Sequence, residues 1–479
     1  MKRNRFLLAS LALICTSTLF SQEVEKNETT NLNEVVLVGG RTLERTILNS
    51  SVPVDIIDVE KLKTSSPQLS VNDILNSIIP SFNSVRQSSS DGTEHIDPVT
   101  LRGMGPDQVL VLINGKRRHS TSLVNYQNTV GNGSVGTDLG AIPISAIEKI
   151  EVLRDGAAAQ YGSDAIAGVV NIVMKSKPGG EASFNYGQTS RNDGETYNFN
   201  GSYGRKLGQS GSIVFSAVVS ERKKTNRSKD HNLDIFGDNF AYDFADDPAA
   251  AKAADDAKIA ALGLTRKDFR FQIGDAALKN QQFFINAETS LNDRLDFYSF
   301  GGVSLRQGEG FGFRRLPSEL SEDALKIYPI GFQPILKSKV NDYSNSTGLR
   351  YSYKGWKVDL SNTFGLNSFR YDVENSINQS IGIDSPTKFY AGQHQFLQNT
   401  VNLDFSKRIN PHLNLAFGGE YRFEQYQIDA GDAASYSGSG AESFTGFSPL
   451  NAVKGDRHSV ATYVDGELKF GDFTANVAG

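Results

Sequence analysis

From about residue 181 the sequence alternates with period 2, and the links between the alternating segments sort by length. Residues 356–366 set Trp356, Val358, Leu360, Phe364 and Leu366 on one face, against Lys357, Asp359, Ser361 and Thr363 on the other. A period of two sends successive side chains to opposite faces of a strand. Segments at 397–406 and 413–424 behave alike, with others near 182–190, 195–206, 212–222, 281–291, 295–306, 344–353 and 458–470, and one starting at 473. The links at 207–211, 292–294, 354–355, 408–411 and 471–472 are short, whereas those near 223–280, 307–343, 373–394 and 429–457 are long. After the first hairpin, short and long links alternate. A soluble sandwich has no reason to sort its links by parity. A membrane barrel does, with short turns at one rim and long loops at the other. The expected fold of 181–479 is therefore a transmembrane antiparallel β-barrel of about eleven visible strands.

The N-terminal third follows different rules. Residues 71–78 place Val71, Ile74, Leu75 and Ile78 at helical spacing, with Ser70 as N-cap and Pro80 as the stop. Residues 52–58 read as a strand. Residues 109–115 read as a buried strand ending in an Asn-Gly turn. Residues 142–175 read as a short helix, a strand, a turn of small residues (156–159 and Gly162) and a second strand. The pattern predicts a mixed α/β domain over 46–178.

Three runs in that last stretch carry a resemblance: I-E-V-L-R-D-G at 150–156, Y-G-S-D-A-I-A-G at 161–168 and V-N-I-V at 170–173. L-R-G at 101–103 followed by V-L-V-L-I-N-G at 109–115 adds to it. Together they resemble the plug domain of TonB-dependent outer-membrane receptors. The resemblance covers the first third at motif level and implies that a barrel follows. Such barrels have about twenty-two strands. This sequence ends inside its eleventh, so the expectation is a fragment or truncated product, since an open edge in lipid is very costly.

Residues 1–21 read as a secretory signal, with Lys2, Arg3 and Arg5 before an apolar core at 6–14. Cys15, the single cysteine, falls inside it, so no disulfide framework is expected. Residues 22–45 form a polar periplasmic segment around a short β-prone run: Glu34, Val35, Val36, Leu37 and Val38. That run is either the first strand of the next domain or, as the resemblance implies, the TonB box, a strand that adds to the sheet edge of TonB.

The resemblance also suggests how the plug is held. Arg102 and Arg154 are the expected plug side of polar locks, and Glu420 and Glu467, on inward strand faces, are candidate partners. The alternative pairs these arginines inside the plug with Glu148 or Glu151. Two polar loops, 86–98 and 116–139, are expected at outward plug apices. Gln87, Ser88, Lys116, Arg117, Arg118, His119 and Tyr126 are their ligand-binding candidates, against a plain solvated-loop reading.

The remaining features exclude more than they assign. A 38% hydrophobic share with 45 glycines suits strands with one polar face. A net charge of −5 argues against nucleic-acid binding. After the N-terminus no apolar run approaches the ~18 residues of a membrane-crossing helix. The six histidines (His95, His119, His231, His394, His412, His458) lack metal-ligand spacing. There is no catalytic constellation and no phosphate loop, so neither an enzyme nor a resident cofactor is expected. The function implied is energised import across the outer membrane of a Gram-negative bacterium, driven by TonB and its inner-membrane complex. A ferric siderophore is the default ligand, with cobalamin or an oligosaccharide behind it. A passive porin or a non-transporting surface receptor are the competing classes. The expected partners are TonB, outer-membrane lipid and a metal chelate.

Overall fold

The computed structural model describes residues 54–59, 62 and 70–479, apart from 85–86, 89, 126–130, 155–157, 231, 238–240 and 472, with backbone alone at 35–36, 45–46 and 158–159. The signal at 1–21, Glu34, Leu37, Val38 and Tyr126 lie outside the described residues.

Strand β1 (Val35–Val36) pairs antiparallel with β2 (Arg45–Thr46). The domain that follows contains β3 (Val54–Asp58), helix α1 (Val71–Ile78), β4 (Phe82–Asn83), β5 (Thr100–Leu101), β6 (Val109–Ile113), β7 (Lys116–Arg117), β8 (Ile147–Leu153), helix α2 (Ala158–Tyr161) and β9 (Gly168–Met174). Five of these strands form one sheet in the order β3-β8-β9-β6-β7, while β4 and β5 pair separately. Local chemistry sets the elements. The Ser70 hydroxyl accepts the Asp73 N–H at 3.1 Å and caps α1, whose Val71, Ile74 and Leu75 are buried. Every residue of β6 is buried, and Asn114 and Gly115 at φ 48° and 78° turn it tightly into β7. Ala158 and Ala159, part of the stretch predicted as a turn, instead begin α2, as alanines allow. Gly168 then passes so close to the Leu153 carbonyl that a Cβ would sit 2.4 Å from its oxygen.

The second region is a single sheet of eleven strands in sequence order, all antiparallel. They are β10 (Gly179–Gly187), β11 (Thr196–Leu207), β12 (Gly211–Arg222), β13 (Ala277–Asn292), β14 (Leu295–Phe311), β15 (Ile335–Tyr353), β16 (Trp356–Glu374), β17 (Lys388–Asn410), β18 (Leu413–Ala430), β19 (Val453–Phe470) and β20 (Phe473–Ala478). All eleven expected strands are present, and five connections are short turns. Several strands outrun their sequence-based limits at the long-loop end: β15 begins at Ile335 rather than 344, and β16 continues to Glu374. There Lys337, Lys339, Arg370 and Asp372 make the outward face polar too, so the apolar alternation fades while the ladder continues.

The concave face holds the N-terminal domain. Val214, Val218, Phe284, Tyr298 and Phe300 are buried on it, whereas their outward neighbours Phe215, Val219, Phe283 and Leu305 are exposed. The long loops pack on one another. Helix α3 (Pro248–Ala261), capped by Asp247, sinks Ile259 among Ile235, Phe269 and Leu316. Its buried Asp255 accepts the Ile235 and Phe236 N–H groups at 2.7 and 3.0 Å and the Tyr242 hydroxyl at 2.6 Å. Burial and that carboxylate push the Tyr242 phenol well above its usual value. Helix α3 is thus packed within a long loop, and its alanines favour the helical form. Helix α4 (Glu322–Ile327) packs near Phe332 and Ile377, and loop 431–452 carries helix α5 (Ala433–Tyr436). Glu442 ties these loops together, accepting from Arg315 and Gln379 at 2.8 Å each.

Candidate functional site: the seam between plug and wall

The β6–β7 hairpin delivers four consecutive basic residues to the inner face of the sheet. Arg118 and His119 both bind Asp342 of β15, the imidazole at 3.0 Å, with side chains 3%, 2% and 6% exposed. Asn367 of β16 closes the set. Its amide donates to Asp342 at 3.0 Å, and its carbonyl oxygen accepts the Ser122 N–H at 2.8 Å. Burial pushes the His119 imidazole below its ordinary value, against the pull of Asp342. His119 can approach this closely because residue 365 is glycine: a Cβ there would stand 2.1 Å from Nδ1.

Lys116 lies lower on the wall, 3.2 Å from Asp359 and 3.5 Å from Asp404. The Tyr298 and Tyr463 hydroxyls donate to these carboxylates at 2.8 Å each. Arg117 stays within the plug, bonded to Asp164 and to the Tyr161 carbonyl at 2.9 Å, and Asp164 in turn lies 3.6 Å from Arg422 of β18. Burial alone would raise the Asp164 carboxyl, but Arg117 and Arg422 outweigh it and hold it low. A polar cavity of about 490 Å³ separates this hairpin from the wall, lined by Lys116, Arg117, Asp359, Asp404, Glu420 and Tyr463 among others.

A second polar contact lies on β14. Arg306 donates to Asp138 at 2.9 Å and to the His95 carbonyl at 2.7 Å, its side chain and that of Asp138 being 3% and 2% exposed. Burial raises the Asp138 carboxyl, while Arg306 opposes the rise. The His95 ring meets the Ser338 hydroxyl at 2.7 Å and lies over Gly308, where a Cβ would be 2.3 Å away. Along β13 and β14 the contact also has an apolar part: beside Gln282 and Asn286, which donate to the Gly140 and Lys175 carbonyls at 2.7 and 2.9 Å, Phe284, Tyr298 and Phe300 join one cluster with the plug's Ile147, Val152 and Val170.

The structure redistributes the sequence-predicted residues. Arg154 pairs with Asp55 at 2.6 Å, because β3 and β8 run side by side in the register Val54 to Leu153. Arg102 donates to the Arg154 carbonyl at 3.0 Å. Arg154 is thus paired inside the plug rather than with the expected Glu420 or Glu467. Glu420 instead accepts from Asn402 at 3.0 Å, and Glu467 from Asn414 at 2.9 Å. Of the alternative partners, Glu148 pairs with Lys177 at 3.0 Å and Glu151 with Lys149 at 3.3 Å. Lys116, Arg117, Arg118 and His119 do not form an outward apex. Arriving straight from a buried strand, they satisfy their charge on carboxylates of the wall and plug. Gln87 and Ser88 do lie at the long-loop end. The Ser88 hydroxyl donates to the Gly274 carbonyl at 2.7 Å, and Gln87 accepts from Thr93. Of the proposed TonB box, only the backbone of Val35 and Val36 is described.

Sequence reasoning missed Asp342, Arg306, Asp138, Asn367 and the glycines Gly308 and Gly365. The available signal was a charge or a glycine at mid-strand on the face that must meet the plug. Among the described residues no cluster of three or more His, Cys, Asp or Glu could hold a metal ion.

Residues 46–169 match the family model described as the TonB-dependent receptor plug domain. The chain is similar to the ferric enterobactin receptor PirA of Pseudomonas aeruginosa, 31% identical over 231 residues that cover 47% of this chain and 30% of that protein. It is also similar to the vitamin B12 transporter BtuB of Photobacterium profundum, 31% identical over 210 residues, 44% of this chain and 30% of that one. Among solved structures, a variant of the ferric enterobactin receptor PfeA of Pseudomonas aeruginosa superimposes with a TM-score of 0.60 at 16% identity, covering 89% of this chain and 57% of that one. The siderophore receptor PirA of Acinetobacter baumannii gives 0.57 at 19% identity, covering 88% and 55%. The chain thus spans little more than half of these solved receptors, and its matched part about a third of the curated relatives. Residues 46–169 thus carry the match to the TonB-dependent receptor plug domain, and the open eleven-stranded sheet that holds them shares its fold with part of those solved receptors.

Proposed function

We propose that this chain serves TonB-dependent active import across the outer membrane of a Gram-negative bacterium, with a ferric siderophore as ligand. The observation that carries the reading is the plug itself: a separately folded domain seated in the concave face and tied there by buried polar contacts such as Arg118–Asp342 and Arg306–Asp138. A passive pore has no use for such a stopper. Polar contacts suit a stopper that must leave and return, because water can replace each partner once the seam opens. In this reading residues 34–38 are the TonB box. Val35 and Val36 already pair with Thr46 and Arg45, so capture by TonB exchanges one short ladder for another. Force applied there reaches the plug through the chain that enters β3.

Similarity to receptors named for ferric enterobactin favours a siderophore, and similarity to a vitamin B12 transporter keeps cobalamin as the second reading. The outer loops and Gln87 and Ser88 are the proposed ligand-facing surface. The test is uptake of labelled ferric enterobactin by cells carrying the chain, intact or lacking residues 34–38. Uptake by the intact chain that is lost on deletion is expected. Uptake unchanged by the deletion would refute the box. Uptake of cobalamin but not iron would move the ligand to the second reading.

A further inference from the structure

A cavity of about 860 Å³ forms a groove on the sheet's outward face, at the long-loop ends of β12 to β17. The strand register shows what lines it. On β14 and β15 the even-numbered residues are buried against the plug, so Gln307, Glu309, Lys337 and Lys339 point outward, as do Arg370 and Asp372 on β16, where the odd residues are buried. One cross-strand row reads Glu221, Lys279, Gln307, Lys339, Arg370. Two residues nearer the short turns, the row through Leu305 is mixed, and the next reads Ala217, Phe283, Val303, Tyr343, Leu366. At about 3.4 Å per residue the charged row stands roughly 14 Å above the start of the apolar band.

The row contains an electrostatic fault. Lys339 lies directly opposite Arg370, with Lys279 beyond Gln307 on the same face. Like charges directly opposite on adjacent strands destabilise a sheet. Asp372 answers Arg370 at 2.7 Å and Glu221 answers Lys279 at 3.5 Å, but no carboxylate among the described residues lies within ion-pair distance of Lys339. The whole groove counts eight cations against five carboxylates. An anion seated between Lys339 and Arg370 would convert the repulsion into two charge-assisted contacts.

We propose that this groove binds the phosphate-bearing headgroup of a lipid in the outer leaflet, its acyl chains descending over Leu305, Phe283 and Tyr343. Position selects the lipid over a soluble anion: the charges face away from the lumen and continue into the apolar band, so the ligand's charged and greasy parts meet matching surfaces. The proposal rests on the outer-membrane reading above.

The test uses the purified chain inserted in phosphatidylcholine bilayers containing either bis-phosphorylated lipid A or its dephosphorylated form. Insertion is followed by heat-modifiable electrophoretic mobility, and lipid retained after detergent extraction is counted by native mass spectrometry. Retention of the phosphorylated form alone is expected, falling about tenfold in the Lys339→Gln, Arg370→Gln double variant. Lys339→Arg should retain it, as should Lys407→Gln with Arg408→Gln at the opposite rim. Equal retention by the wild type and the double variant, or of both lipid forms, would overturn the proposal. So would displacement by inorganic phosphate alone, which would mark a free-phosphate site. A chain that inserts but retains neither lipid refutes the groove only. Failure of the uptake test above refutes the receptor reading instead, and is read independently of lipid retention.

Discussion

The plug meets the wall along two unlike seams. Against β13 and β14, Phe284, Tyr298 and Phe300 extend the plug's own core outward, so the boundary between domains is hard to find in the packing. Against β15 to β18 ion pairs and a 490 Å³ cavity mark the boundary, beside one apolar patch where the plug's Ile96 and Leu123 meet Leu336, Val340, Phe369 and Tyr371. The two seams respond differently to opening. Exposed apolar surface costs about 25 cal/mol per Å² with nothing to offset it. A separated ion pair is rehydrated, and most of its desolvation cost returns. One side of the plug behaves as a hinge and the other as a latch, even though both are closed in the resting molecule.

The largest test attacks the hinge. Phe284, fully buried, anchors it, and Phe284→Ala should loosen the plug by about 3–5 kcal/mol, read as a lower urea midpoint for hydrogen exchange at Val109–Ile113. The shift should not depend on salt. A shift that disappears in low salt would erase the distinction between the seams. Next comes Asp342→Ala, which strands Arg118 in a buried site and should cost about 3 kcal/mol, or somewhat more. Asp342→Asn, still able to accept a hydrogen bond, should recover part of that in the same assay. A smaller loss, about 1–3 kcal/mol, is expected for Gly365→Ala, whose methyl would collide with the His119 ring. His119→Ala in the same chain should relieve it, and failure to do so would place the strain elsewhere. Lys116→Met should weaken docking by only about 1 kcal/mol, because its partners are a quarter exposed and water can replace it. Smallest of all is Arg154→Gln. Its pair with Asp55 is nearly half exposed, so a change within about 1 kcal/mol and no effect on plug–wall contact are expected.

The contrast between seams also explains what could be read from the sequence. Strands and turns are local events. The alternation at 356–366, the Asn114-Gly115 turn and the Ser70 cap each depend on residues a few positions apart, and all three are formed as their local chemistry predicts. The latch is not local. Arg118 and Asp342 are 224 positions apart, and their meeting depends on how the plug is rotated within the curved sheet. Sequence reasoning therefore chose visible arginines, Arg102 and Arg154, where neighbouring strands had already supplied partners. It also placed the basic run at 116–119 at an outward apex, facing ligand or solvent, because nothing nearby in sequence could neutralise it. The apolar seam was hidden for another reason: Phe284 and Phe300 look like any inward strand residue until the plug is beside them.

Gly308 and Gly365 carry a consequence for inheritance. Each is a vacancy in the wall shaped to one plug side chain, His95 or His119, and neither vacancy could be filled without moving its occupant. A change at either glycine, or at the histidine seated on it, would leave a slot and an occupant that no longer fit each other. The inward rows and the plug must therefore change together or not at all.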